Sequence, residues 1–334
     1  MNSSIRQLSE NFNNSNNAES GDSAATPALK ILTEKFKSSP LLKDCTFTDA
    51  DLTERTTMKI ASRAALFVSP ETEEGAAFVI SECKKMNARC FFLGGGSNLV
   101  TADGTLNFVI LSTENMKEIS LKEENGSFFL TALAGTPVSD ITDFCIQNGL
   151  SGFEKFGGLP GSIGSSCFMN ARCYEKNMSS LIEEIEYIDC SGKPCVYKKD
   201  ESDWDYKSSP FQKNGAFITR VTLTGFTKSD STLIKKESDS YVEDRRNKGH
   251  FKFPSAGSVF KNNRSFGKPS GALVDQAGLQ GTECGGAQIA PWHGNFIINK
   301  GSATANDIKS LVKLAQDKVR EQTGFSLECE IIFV

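Results

Sequence analysis

The apolar run Cys90-Phe91-Phe92-Leu93 passes directly into Gly94-Gly95-Gly96-Ser97-Asn98 before the chain turns apolar again at Leu99-Val100. This reads as a buried strand delivering a loop of bare backbone. Glycine accepts positive φ and has no Cβ, so successive peptide N–H groups can converge on an anion, with Ser97 and Asn98 as further donors. The pattern Gly-x-Gly-x-x-Gly fails, because Leu99 stands where the third glycine belongs, and no Gly-Lys-Ser/Thr follows. A second stretch, Gly152 to Ser166, is mostly Gly and Ser from Gly157 onward, with Pro160-Gly161 setting a turn. Either loop alone could be a plain turn between strands. Two of them in one half of a chain can wrap the diphosphate of a dinucleotide without Lys or Arg, though residue physics does not say which cofactor.

Around these loops the pattern is α+β. Residues 1–27 are polar, rich in Ser and Asn, and expected to be a disordered extension. Leu29, Ile31, Leu32 and Phe36 have helical spacing; Thr56 to Ile60 and Ala65 to Val68 read as short strands, and Thr72 to Met86 as a helix capped by Thr72. Phe108 to Leu111, Ile119 to Lys122 and Phe128 to Ala132 continue the strands, and Val138 to Gln147 is a helix stopped by Asn148-Gly149. Near the end, Thr304 to Thr323 carries an N-cap, Asp307 three positions on and a closing Gly324. Beyond it Phe325, Leu327, Cys329, Ile331 and Phe333 alternate as one face of a strand, which puts Glu328 and Glu330 together on the other.

Composition narrows the function. With 334 residues, 38% of them hydrophobic, the chain has material for two domains. A net charge of −4 and no basic stripe argue against nucleic acid, the longest apolar runs are too short to span a membrane, and no signal peptide opens the chain. Ten cysteines without a Cys-x-x-Cys pair read as reduced thiols of a cytoplasmic protein rather than a zinc site. The two histidines, His250 and His293, suggest no Ser-His-Asp set.

The two loops, followed in order by Phe168-Met169-Asn170-Ala171, Tyr206 to Phe211, Ala256-Gly257-Ser258-Val259-Phe260-Lys261-Asn262, Leu273 to Gly281, Gly285 to Gln288, His293 to Asn299 and Leu327-Glu328-Cys329-Glu330, resemble the UDP-N-acetylenolpyruvoylglucosamine reductase family from about Thr56 to Val334. That resemblance implies an FAD-binding domain of the vanillyl-alcohol-oxidase (PCMH) type, placed here at 28–227, and a smaller C-terminal α+β substrate domain at 228–334. It implies non-covalent FAD, NADPH as co-substrate, and reduction of an enolpyruvyl ether to a lactyl ether in peptidoglycan precursor synthesis, by a cytoplasmic and monomeric protein. Hydride would pass from flavin N5 to the enolpyruvyl methylene carbon. The FAD contacts would come from Gly94, Gly95, Gly96, Ser97, Asn98, Gly135, Gly158, Pro160, Gly161, Ser162 and Gly164.

In the same way the resemblance assigns the proton donor to Ser258 and a charge-stabilising carboxylate to Glu330, a choice between Glu328 and Glu330 that periodicity leaves open. Substrate contacts would come from Tyr206, Lys261, Asn262, Gln276, Gln288, His293 and Asn295. The chain departs from the family at two places. Tyr206-Lys207-Ser208-Ser209 replaces Tyr-Arg-x-Ser, and Arg172-Cys173-Tyr174-Glu175 replaces Gly-Ala-Tyr-Gly. Lysine keeps the charge but not the bidentate fork, so Lys207 is expected to take the electrostatic role with Arg172 as a partial replacement for the guanidinium; a flanking surface residue is the alternative for Arg172. Two other functions stay open: an FAD oxidase or dehydrogenase of the same fold, and a non-catalytic flavin or nucleotide-sugar binding protein.

Overall fold

A computed structural model describes residues 27–334. The extension expected over 1–27 lies outside them except for Pro27, which opens the first helix, Pro27–Ser38.

Three sheets of four or five strands follow one another among the described residues. In the first, the strand order is Thr46–Asp51, Ser62–Val68, Gly104–Ser112 and Cys90–Leu93. Ser62–Val68 and Cys90–Leu93 both run parallel to Gly104–Ser112. The connecting helix Glu73–Lys85 is capped by the Thr72 hydroxyl, which accepts from Gly75 N, and it buries Ala76, Val79, Ile80 and Cys83 in the sheet's core. A local β-α-β unit thus forms here, and it ends at the triple glycine.

The second sheet is antiparallel, in the order Pro194–Lys198, Ile182–Ile188, Phe217–Leu223, Ser127–Leu133 and Ile119–Glu124. The helices Val138–Gln147 and Ile163–Phe168 contribute to its core around Phe153, Phe156 and Phe211. The third sheet orders Ser255–Ser258, Phe296–Asn299, Ala287–Ile289 and Glu283–Cys284. Against it lies Ala305–Thr323, closed by Thr304 and Asp307 at one end and Gly324, at φ 75°, at the other.

Two expected elements differ. Thr56 to Ile60 is a turn, not a strand: Lys59 has φ 55°, and Asn299 Nδ2 donates to the carbonyls of Met58 and Lys59, both at 3.0 Å. Met58 and Ile60 are apolar because they plug the C-terminal core. After Gly324 only Ile332–Phe333 forms a strand, parallel to Leu99–Val100, because Cys329 pairs just once, with Phe260. The inward alternation survives, with Leu327 and Ile331 buried. Among the cysteines, all ten of them free, Cys190 is exposed in a turn rather than packed in a core.

Candidate active site

The two glycine-rich loops touch. A Cβ on Gly95 would lie 2.4 Å from Gly161 Cα, one on Gly94 2.7 Å from Ser165 Cβ, and one on Gly161, whose φ is 105°, 2.7 Å from Ser97 Oγ. Gly164 and Gly135 are pressed as closely, against Ala134 Cβ at 2.6 Å and the Thr113 carbonyl at 1.8 Å. Ser162 and Ser165 satisfy each other as a capping box. Among the described residues, no acceptor takes the N–H groups of Gly94, Gly95, Gly96 or Ser97. Close backbone, spare donors and small side chains fit the diphosphate of a dinucleotide; Pro160 and Gly158, at φ 70°, shape the same turn.

A cavity of about 1010 Å³ is tied to the first loop through Glu330, a residue of its wall whose carbonyl accepts from Asn98. Ser258 reaches it from the end of its strand, where the pairing register shifts between Ser255 and Ser258 and Gly257 takes φ 75°. A bulge re-aims the next side chain, and only glycine enters that conformation cheaply. Glu330 follows from the neighbouring segment: its N–H donates to Val259 O at 2.8 Å, so Ser258 and Glu330 are held together by one backbone contact.

Lys207 Nζ donates to Glu330 Oε1 at 2.5 Å, with both side chains largely buried, at 16% and 11% exposed. Its backbone φ of 55° belongs to the tight Asp205–Ser208 turn. Asn170, at φ 42° and buried, donates to Asp205 O at 2.8 Å and accepts from Ser179 N, while Gln212 donates to Phe168 O and Lys207 O. The resemblance motif included Asn170 without giving it work; an asparagine between Met169 and Ala171 was the signal, since asparagine tolerates this backbone.

Arg172, Tyr206, Lys261 and Asn262 also line the cavity. Arg172 pairs with Glu175 at 2.5 Å and sits 5.8 Å from the Tyr206 ring. Lys261 pairs with Glu328 at 2.6 Å, so the carboxylate less favoured from sequence faces the same space. Asn262 Oδ1 accepts from Ser270 N. Four expected contacts are not among the lining residues. Gln276 is exposed at a helix end, and Gln288 donates to Gly281 O and Glu283. His293 packs on Phe296 and accepts from Asn295 N. Asn295 is buried, its amide bonding both N and O of Phe260. Asn98 Nδ2 donates to Glu330 O at 2.9 Å, a partner that sequence reasoning did not assign.

Comparison with known proteins supplies a family for this geometry. Residues 249–334 match the profile of the UDP-N-acetylenolpyruvoylglucosamine reductase C-terminal domain, and residues 64–196 match an FAD binding domain. UDP-N-acetylenolpyruvoylglucosamine reductase of Treponema denticola is 43% identical over 293 residues, covering 83% of this chain and 90% of its own length. The same-named protein of Treponema pallidum is 36% identical over 324 residues, 84% of this chain and 91% of its own. The crystal structure of the Thermus caldophilus reductase superposes with a TM-score of 0.70 at 28% identity, covering 86% of this chain and 97% of that one.

Proposed function

The chain belongs to the UDP-N-acetylenolpyruvoylglucosamine reductase family, and on that premise we propose how its residues divide the reaction. The activity is NADPH-driven, FAD-dependent reduction of the enolpyruvyl ether of UDP-N-acetylglucosamine to UDP-N-acetylmuramate in peptidoglycan precursor synthesis. FAD, when bound, relays two electrons from NADPH to the substrate. Gly94 to Asn98 and Gly158 to Gly164 would hold its diphosphate. The boundary we draw near residue 228 separates this body from the one carrying Ser258 and Glu330.

Reduction at the methylene carbon leaves negative charge on the neighbouring carbon and its carboxylate. Lys207 faces that charge, and Glu330 fixes the ammonium in place. Ser258 Oγ gives its proton to the carbon; a hydroxyl is a weak acid in water, so the transfer depends on a site that excludes it. Arg172 supplies a second cation at the wall, and Lys261 and Asn262 meet the nucleotide part. Asn295 holds the Phe260 backbone at the cavity wall and His293 accepts from Asn295, while Gln276 and Gln288 take no part in this scheme.

The observation carrying this reading is the convergence of Ser258, Lys207 and Glu330 on one cavity from three distant segments. NADPH as reductant and free thiols throughout favour a cytoplasmic setting. No described helix is long and apolar enough to cross a membrane, and the partners we propose are small molecules acting on a monomer, without nucleic acid or membrane. The test is to purify the protein, bleach its flavin spectrum with NADPH and restore it with the enolpyruvyl UDP-sugar. A protein that FAD cannot reconstitute, or whose reduced flavin ignores the sugar, contradicts the reading.

A further inference from the structure

Arg172, Lys207, Lys261 and Arg264 are the cations that line the large cavity. Carboxylates answer three of them, Glu175 for Arg172, Glu330 for Lys207 and Glu328 for Lys261. Arg264 is the exception: among the described residues no acceptor takes its guanidinium. An exposed arginine is by itself ordinary surface, but this one is mounted on a braced turn. Arg264–Phe266 is a single 3₁₀ turn in which Asn263 Oδ1 accepts from Ser265 N at 2.9 Å and from Ser265 Oγ at 2.8 Å, and Gly267, at φ 67°, donates back to Arg264 O. Ser270 ties down its base, donating from N to Asn262 Oδ1 and from Oγ to Lys261 O.

Two segments running antiparallel away from the proton donor place this turn. Glu330 N donates to Val259 O, Cys329 pairs with Phe260, and Lys261 N donates to Glu328 O at 2.9 Å. Farther along, the Phe266 ring stacks on Phe325, with centroids 4.5 Å apart and 15° between the planes. Phe325 thus covers one face of Phe266, and the half-buried ring still borders the cavity. The wall reads outward as Ser258 with Glu330, Lys261 with Glu328, then Arg264 with Phe266.

NADPH and the sugar both exchange hydride at flavin N5, so the cavity that holds Ser258 is the space open to each. In NADPH the nicotinamide lies on one side of the diphosphate, and the adenosine with its 2′-phosphate on the other. A wall that meets the diphosphate at Lys261 meets the 2′-phosphate farther out, where Arg264 stands. We infer that Arg264 selects NADPH over NADH by binding the 2′-phosphate, and that Phe266 stacks the adenine. A phosphate monoester calls for a charge not already neutralised, and the planar arginine fork matches its oxygens. Because the turn is braced before the ligand arrives, little ordering is lost on binding. The inference rests on the NADPH-dependent flavin reading above.

The test follows reduction of the holoenzyme's flavin by NADPH and by NADH, anaerobically and without sugar, in wild-type, Arg264→Met, Arg264→Lys and Phe266→Leu protein. Arg264→Met is expected to raise the NADPH concentration for half-maximal rate by about tenfold or more, with the limiting rate and the NADH dependence unchanged, and Arg264→Lys to recover most of it. Phe266→Leu should weaken NADPH and NADH alike, by about tenfold, since both carry adenine; unchanged values for both would overturn the stacking assignment. Adenosine 2′,5′-bisphosphate should inhibit wild-type reduction at a concentration about tenfold below that needed for 5′-AMP, and Arg264→Met should erase that difference. Wild-type protein that treats NADPH and NADH alike, or an Arg264→Met variant that keeps the wild-type preference, overturns the inference. A loss confined to reoxidation by the UDP-sugar overturns it too, by assigning Arg264 to the sugar nucleotide. A wild-type chain that takes up no FAD, or whose flavin neither dinucleotide reduces, overturns the underlying reading as well.

Discussion

The side-chain amide of Asn98 donates to the backbone carbonyl of Glu330 at 2.9 Å, and the Ile332 N–H returns a hydrogen bond to Asn98 O at 3.0 Å. The triple-glycine loop and the carboxylate of the cavity are therefore one mechanical unit, joined across 232 positions of sequence. Asn98→Ala removes one neutral hydrogen bond and leaves a carbonyl unpaired, a loss of about 1.4 kcal/mol or tenfold. The expected result is a tenfold fall in kcat with KM little changed, because Glu330 is displaced rather than removed. An equal rise in KM would instead mark a binding defect.

Lys207 and Glu330 test the electrostatic assignment. Lys207→Met is expected to reduce kcat by roughly 10²–10³, the loss typical when a charge-stabilising donor is deleted. Lys207→Arg should retain activity within about tenfold. Arg172→Ala should lower kcat/KM about tenfold, since its guanidinium is tied to Glu175 and only partly faces the cavity. An Arg172→Ala enzyme with unchanged turnover and affinity would confine the role to Lys207.

A glycine of the first loop and one at the start of the next long strand differ in what they require. A Cβ at Gly95 meets backbone at 2.4 Å, so Gly95→Ala must separate the two loops; about 3 kcal/mol of stability and much of the FAD affinity should be lost. Gly104 has φ 83° but open space around it, so Gly104→Ala carries backbone strain alone, about 1 kcal/mol. Thermal unfolding with and without FAD separates the cases. Gly104→Ala should leave the FAD-induced shift intact.

His250 gives the fold an acid sensitivity. Its folded value, about 4, lies below the ordinary 6.5, through burial first and then Arg245, His293 and Lys248, against Asp244. Between those values the unfolded chain binds a proton that the folded one refuses. Its contribution is fully present above about pH 6.5 and declines as pH falls towards 4. His293, also lowered by burial, acts in the same direction. Denaturant titrations of His250→Gln should show a flatter stability profile in that window, and an unchanged slope would assign the acid lability elsewhere.

Much of the site was legible because its signals are local. Glycine runs and the Thr304–Asp307 cap each state a conformation within a few residues and found their counterparts, whereas the alternation after Phe325 found its buried face but not a continuous strand. Thr56 to Ile60 misled because apolar residues that plug a distant core share a strand's composition. Long-range partners were invisible for a similar reason. Nothing near Asn98 or Asn170 announces Glu330 or Asp205, and the adjacent Arg245 and Arg246 diverge, one buried and one exposed, only once the helix Ser231–Asn247 is packed.

In the proposed reaction Ser258 delivers the proton that completes substrate reduction. Stopped-flow measurement of the two half-reactions of Ser258→Ala tests it most directly. Reduction of the flavin by NADPH is expected to proceed at the wild-type rate, while reoxidation by the enolpyruvyl UDP-sugar slows by roughly 10²–10⁴. Reoxidation at the wild-type rate would contradict the claim.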